Sequence, residues 1–235
     1  PELAAPVGRE FMAFVELVAT LRAQCPWDRE QTHASLRRHL LEESYEVLEA
    51  IDHLDTETGE GYEHLEEELG DLLFQILFHS QLATEMGQFT IADVALNVHD
   101  KLRARHPHVF GQVDAADADA VVANWEQIKK SEKGRASVFD GVPDAIPALL
   151  YALKVQKKAV SLPASQRLAV PESDARDLLA AATEHTDEAA IGALLMAVVD
   201  LARRHDVDPE TALRTAALAR RDAARAFELS TQPEA

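Results

Sequence analysis

Apolar residues at Phe11, Phe14, Val15, Val18 and Leu21 recur at a spacing near 3.6, that of a helix with one apolar face. The same spacing returns along most of the chain, and no stretch of useful length alternates with the period of two that a half-buried strand needs. The expected class is therefore all-α. A break falls at Cys25-Pro26. Asp28 followed by Gln31 predicts a capping box opening a second helix, which runs through Leu40, Leu41, Val47, Leu48 and Ile51 and ends before Gly59. A third helix is expected over 62–86 with Gly87 to stop it, and a fourth over 91–105, capped by Thr90 and terminated by Pro107. A fifth is expected over 119–130.

Gly134, Gly141, Pro143 and Pro147 mark a connector, which places a domain boundary between 1–142 and 143–235. Beyond it, helices are expected over 148–160, 173–183, 187–204 and 209–229, with 163–171 as linker and Asp208-Pro209 as a helix start. Leu69-Gly70-Asp71-Leu72-Leu73-Phe74 matches Ile191-Gly192-Ala193-Leu194-Leu195-Met196, so the second part reads as a diverged copy of the first.

Composition narrows the function classes. A chain of 235 residues, 47% hydrophobic and 27% charged, has enough apolar material for two small cores. Its formal net charge of −18 argues against a general nucleic-acid binder, because phosphate backbones are held by clustered Lys and Arg. A small anionic ligand stays open if metal ions neutralise carboxylates locally. No run of about 18 apolar residues and no basic-then-apolar leader is found, so no contact with a membrane is expected and the expected location is cytoplasmic. The single cysteine, Cys25, agrees with a reducing compartment and reads as a small buried hydrophobe.

The chemistry-bearing pattern is a set of acids on two helices. Glu42, Glu43 and Glu46 share one side of the second helix, and Glu68 and Asp71 stand one turn apart on the third. Two adjacent antiparallel helices with such pairs can bring their oxygens together in a helical core. Leu40, Leu41, Val47 and Leu48 flank the first set and Leu69, Leu72, Leu73 and Phe74 the second, so these acids are not all expected to face water. Buried carboxylates without a cation are costly. All-oxygen ligation by Glu43, Glu46, Glu68 and Asp71 favours Mg²⁺, with Mn²⁺ as substitute, over zinc. A di-iron bundle would need paired Glu-x-x-His motifs, and Glu30 to His33 alone has that form among these helices.

On the fourth helix Lys101 and Arg105 lie at i, i+4, where two cations on one face suit the charged end of a triphosphate. Trp125, one turn before Lys129, offers an aromatic plane for a base. His106 and His108 read as capping and surface residues.

Taken in order, these pieces resemble the MazG nucleoside triphosphate pyrophosphohydrolases of the all-alpha NTP pyrophosphatase superfamily. The elements are Cys25-Pro26-Trp27-Asp28 with Gln31-Thr32-His33, Leu41 to Glu46, Glu68 to Leu73, Lys101 to Phe110, and Asn124 to Lys129. The resemblance implies tandem helical bundles of that kind, with Glu43, Glu46, Glu68 and Asp71 as Mg²⁺ ligands and Glu42 beside them. It implies Lys101 and Arg105 as phosphate contacts, Trp125 near the base with Lys129 beside it, and nucleoside triphosphates as substrates. The implied reaction is hydrolysis to a nucleoside monophosphate and pyrophosphate, with loose base specificity and a role in clearing surplus or damaged nucleotides. Metal would activate water while Lys101 and Arg105 orient the phosphates, and Glu42 or a neighbouring acid would take the proton.

The second copy departs from this pattern. Asp174 and Asp177 stand where one acid set is expected, Ala190 and Ala193 replace the other, and Ala219 and Ala223 replace the cations. That half is expected to be non-catalytic. The rival reading is a helical dimerisation or nucleotide-sensing module without catalysis, which the second half fits best. A homodimer or larger oligomer is expected, because hairpin units this short have more apolar face than they can cover.

Overall fold

The computed structural model describes residues 4–111, 117, 121, 137–162 and 175–231. Among them are ten helices and no strand. In chain order they are α1 (Ala4–Gln24), α2 (Pro26–Glu30), α3 (Arg37–Asp52), α4 (Tyr62–Glu85), α5 (Ile91–Arg105), α6 (Pro107–Phe110), α7 (Ala148–Val160), α8 (Ala175–Glu184), α9 (Glu188–Arg204) and α10 (Pro209–Ser230). They form two compact units, one within Pro1–Trp125 and one within Glu126–Ala235. The helix expected over 119–130, apart from Val121, and the linker over 163–171 lie outside the described residues.

In the first unit α4 is the central element, packing against α1, α3 and α5. Its core is Leu77, Phe78 and Leu82 of α4 with Val18 of α1 and Leu36, and Phe14, Val15, Leu73, Phe74 and Ile91 close around them. Phe78 is wholly buried. It meets Phe74 edge-on at 5.6 Å. Burial of each such side chain is worth about 1.5–3 kcal/mol, so the α1–α4 contact anchors the unit.

Local signals stop and start these helices. Gly87, with φ +64°, ends α4, and the amides of Gly87 and Gln88 donate to the carbonyls of Thr84 and Ala83, closing its last turn. Thr90 and Asp93 then form a reciprocal capping box at the start of α5. Gly61, with φ +88°, precedes α4, and a Cβ there would sit 3.1 Å from the carbonyl oxygen of His53. That loop also carries Asp55, whose carboxylate accepts the amides of Glu57 and Thr58.

The expected second helix is broken in two. The Asp28–Gln31 capping box does not form. Gln31 is instead extended and its side chain donates to the Trp27 carbonyl, while the Ser35 hydroxyl donates to Gln31. Arg22 reaches across from α1 to the carbonyls of Asp28 and Gln31 and pairs with Glu85 of α4. Within the break the Thr32 amide donates to the Ser35 hydroxyl and the Ser35 amide to the Thr32 hydroxyl, local partners in place of a continuous helix. Two further expectations change. Pro107 opens the short helix α6 after α5 ends, and Cys25 is only partly buried, beside an exposed Trp27.

His33, in the connector after α2, contacts His79 of α4 through their Nδ1 atoms at 2.8 Å. The ring planes lie within 4° and their centroids are 5.1 Å apart. That separation is the N–N distance plus a ring radius at each end, so the rings meet edge to edge in one plane. At that distance one ring donates its N–H and the other accepts.

In the second unit α9 packs against α7, α8 and α10. Leu153, Ala182 and Val199 are buried there. Asp187 caps α9 by accepting the amide of Ala190, and Asp208 caps α10 by accepting that of Thr211, ahead of Pro209 at the first helical position.

Candidate metal centre

α3 and α4 are joined by the loop 53–61 and pack along one another. His33 meets His79 beyond one end of the pair, and Glu43 meets Glu68 and Asp71 midway, so the helices run antiparallel. The helical spacing then places Glu43 opposite a turn of α4 that carries two acids. One oxygen from each of Glu43, Glu68 and Asp71 lies within 4.8 Å of the others. Glu46 completes the set by approaching Glu43.

The cost of this convergence appears in the protonation of Glu43. Desolvation first, then a hydrogen bond with Glu46 and the charges of Glu46, Asp71 and Glu68, push its carboxyl up to about 7. Glu68 is also raised, chiefly by desolvation, with His64 working the other way. The acids are thus arranged against their own repulsion. An all-oxygen donor set in that condition fits a hard divalent cation.

Burial differs from the sequence expectation. Glu43 and Glu68 are half-buried, but Glu46 and Asp71 are exposed, as are Leu41, Leu48, Ile51 and Leu69 beside them. Part of the apolar flank therefore looks outward, while Val47 is buried, Leu73 and Phe74 pack on the core, and Glu43 and Glu68 look toward the helix contact. Glu42 is turned aside. Arg38 Nε lies 2.7 Å from its carboxylate and His39 Nδ1 3.4 Å, and the bond from Arg38 is the main cause of its lowered pKa.

The two cations stand one turn apart on α5 but differ in exposure. Lys101 is exposed, whereas Arg105 is 6% exposed at the end of α5, where the chain folds back into α6. His106 Nδ1 lies 2.6 Å from the Leu102 carbonyl, consistent with capping, and the Nδ1 of His108 is buried with no partner. Trp125 and Lys129 lie outside the described residues.

Sequence reasoning missed His64. Its Nδ1 lies 3.3 Å from Glu68 one turn later on α4, and 4.0 Å from Glu67. The i, i+4 offset that also joins Arg38 to Glu42 was the available signal. In the second unit Ala190 is half-buried, and Ala193, Ala219, Ala223 and Asp177 are exposed; Asp174 lies outside the described residues. Among the described residues, the groups of His, Asp and Glu close enough to share an ion all lie on α3 and α4. No helix among them is long and apolar enough to cross a membrane.

Residues 31–110 match the MazG nucleotide pyrophosphohydrolase domain. The chain is 38% identical over 207 residues to the nucleoside triphosphate pyrophosphohydrolase of Escherichia coli K12, covering 82% of this chain and 76% of that one. It is 38% identical over 218 residues to the nucleoside triphosphate pyrophosphohydrolase/pyrophosphatase MazG of Thermotoga maritima, covering 89% and 82%. With an uncharacterized protein of Bacillus subtilis, YabN, it shares 41% over 217 residues, which is 87% of this chain but only 43% of that relative.

Proposed function

The chain belongs to the MazG nucleotide pyrophosphohydrolase family, and from that premise we propose that its first unit hydrolyses nucleoside triphosphates to the monophosphate and pyrophosphate. The observation that carries this reading is the convergence of Glu43, Glu68 and Asp71 from two helices within 4.8 Å. Together with Glu46 these acids would hold Mg²⁺, or Mn²⁺ in its place. A divalent ion there supplies charge neutralisation for phosphate oxygens and activation of water.

The chain's own residues divide the remaining work. Water adds to the α- or β-phosphorus, the P–O–P bridge between them breaks so that monophosphate and pyrophosphate separate, and the water proton needs an acceptor. Glu42 or a neighbouring acid is proposed to accept it, and Arg38 and His39 beside Glu42 keep that carboxylate ionised. Exposed Lys101 is available for phosphate. Arg105, one turn later at the end of α5, is proposed with it. Trp125 and Lys129 are proposed for the base. Broad base specificity and a cytoplasmic role in clearing surplus nucleotides belong to the same proposal.

The second unit, taken as 143–235, is proposed to be a degenerate copy that serves assembly or sensing, which is where the non-catalytic reading applies. Exposed Leu41, Leu48, Ile51 and Leu69 support a homodimer that covers them. The experiment is pyrophosphate release from mixed triphosphates with Mg²⁺ and then with EDTA. Release that EDTA leaves unchanged overturns the metal reading, and no release with Mg²⁺ or Mn²⁺ overturns the activity.

A further inference from the structure

We propose that His64 is a positioning residue for Glu68, steadying that carboxylate by contact with its Oε1 so that it stays within reach of Glu43 and Asp71. The inference rests on the metal reading of that cluster given above. Side chains on a helix lean toward its N-terminus, so Glu68 reaches back over the turn that carries His64. Its Oε1 arrives 3.3 Å from the His64 Nδ1. Glu67 competes for the same ring, but at 4.0 Å and with its side chain 75% exposed, it is the weaker partner.

Position separates the two halves of the contact. The Glu68 side chain is 12% exposed and the His64 ring 53%, so the ring sits on the solvent side of the acid. Glu68 is also the one residue common to both oxygen-bearing groups, Glu43–Glu68–Asp71 and His64–Glu67–Glu68. A carboxylate with an imidazole nitrogen 3.3 Å from one side and an ion on the other has fewer orientations open to it. The equivalent acid-and-imidazole contact on α3, His39 with Glu42, lacks this consequence, since Glu42 is drawn off by Arg38.

An ordinary exposed i, i+4 pair would only add slightly to helix stability, and the two roles separate in measurement. Mg²⁺ is titrated calorimetrically into the 235-residue chain and its His64→Ala, His64→Gln and Glu68→Ala variants, without nucleotide, with thermal melting alongside. Glu68→Ala is expected to lose binding. His64→Ala should weaken it by about tenfold or more, the usual effect of removing a partner that orients a metal ligand, with its melting temperature unchanged. His64→Gln, whose amide N–H reaches as far, should recover most of the loss. Wild-type affinity in His64→Ala beside lost binding in Glu68→Ala overturns the inference alone, as does a Gln variant no better than Ala. Retained binding in Glu68→Ala overturns both the inference and the metal reading. If a parallel Zn²⁺ titration is lost in His64→Ala while Mg²⁺ is untouched, the ring is a direct ligand and the positioning role falls.

Discussion

The α3–α4 pair and the α8–α9 pair are both packed helical neighbours, and both α4 and α9 carry the same apolar-Gly-x-Leu-Leu run, yet among the described residues only the first pair gathers acids. In the first, Glu43 is held protonated to about 7 by the groups around it. In the second, Ala190 and Ala193 stand at the matching positions of α9, and no such strain is built in. The difference shows that the helical frame does not require the acids. They cost the first pair stability, and a bound cation is what would offset that cost.

The sharpest way to break this comparison is to remove a ligand. Glu43→Ala or Asp71→Ala should lower Mg²⁺-dependent turnover by about 10³-fold, the several kcal/mol of charge stabilisation a metal supplies. Circular dichroism should remain helical, because the cluster repels itself. Turnover near wild type in both variants would remove the site from α3–α4.

Dividing the chain is the next test. A fragment ending near Asp140 that remains folded should keep Mg²⁺-dependent pyrophosphate release, and one starting near Pro143 should show none above background. Measured activity in the second fragment would erase the contrast between the units.

How far the sequence foresaw this can be argued residue by residue. Thr90, Gly87, Asp208 and Pro209 act where they stand, because caps and stops depend on neighbours in the chain. The acids were legible for a similar reason, as helical spacing and a hairpin are enough to bring Glu43 to Glu68 and Asp71. The break at 31–36 was not, because it depends on Arg22 arriving from another helix and on Gln31 and Ser35 turning to local backbone and side-chain partners. Spacing also set Lys101 and Arg105 one turn apart without saying that they would differ in exposure. The outward look of Leu41 and Leu69 was equally hidden, since apolar residues carry no record of which partner covers them.

A smaller effect concerns pH without metal. The Glu43 carboxyl is raised in the folded protein, so its protonated form is favoured by folding. Its contribution is present below the ordinary carboxylate range and is lost as pH rises from there through about 7. In EDTA the melting temperature of the first unit should therefore fall between pH 5 and 8, and Mg²⁺ should restore it most at the upper end. Glu43→Gln should flatten the fall. An unchanged slope in that variant would place the raised group elsewhere.

The least effect is expected from trying to reverse the difference. Ala190→Glu with Ala193→Asp writes the acids of α4 onto α9, one turn apart and on the helix that packs against α8. Two acids on one helix are still not a centre. In the first unit the third oxygen comes from Glu43 of α3, whereas α8 offers Asp177 on an exposed position, with a shorter side chain. The cations are missing as well, with Ala219 and Ala223 both exposed on α10. Ala190 is half-buried, so a glutamate there also loses hydration, at a cost of about 1–3 kcal/mol. A full chain carrying these two changes together with Asp71→Ala should thus show no measurable pyrophosphate release, while its second unit melts a few degrees lower. If release returned, the second unit would be one substitution pair from activity, and the two units would differ far less than their acids suggest.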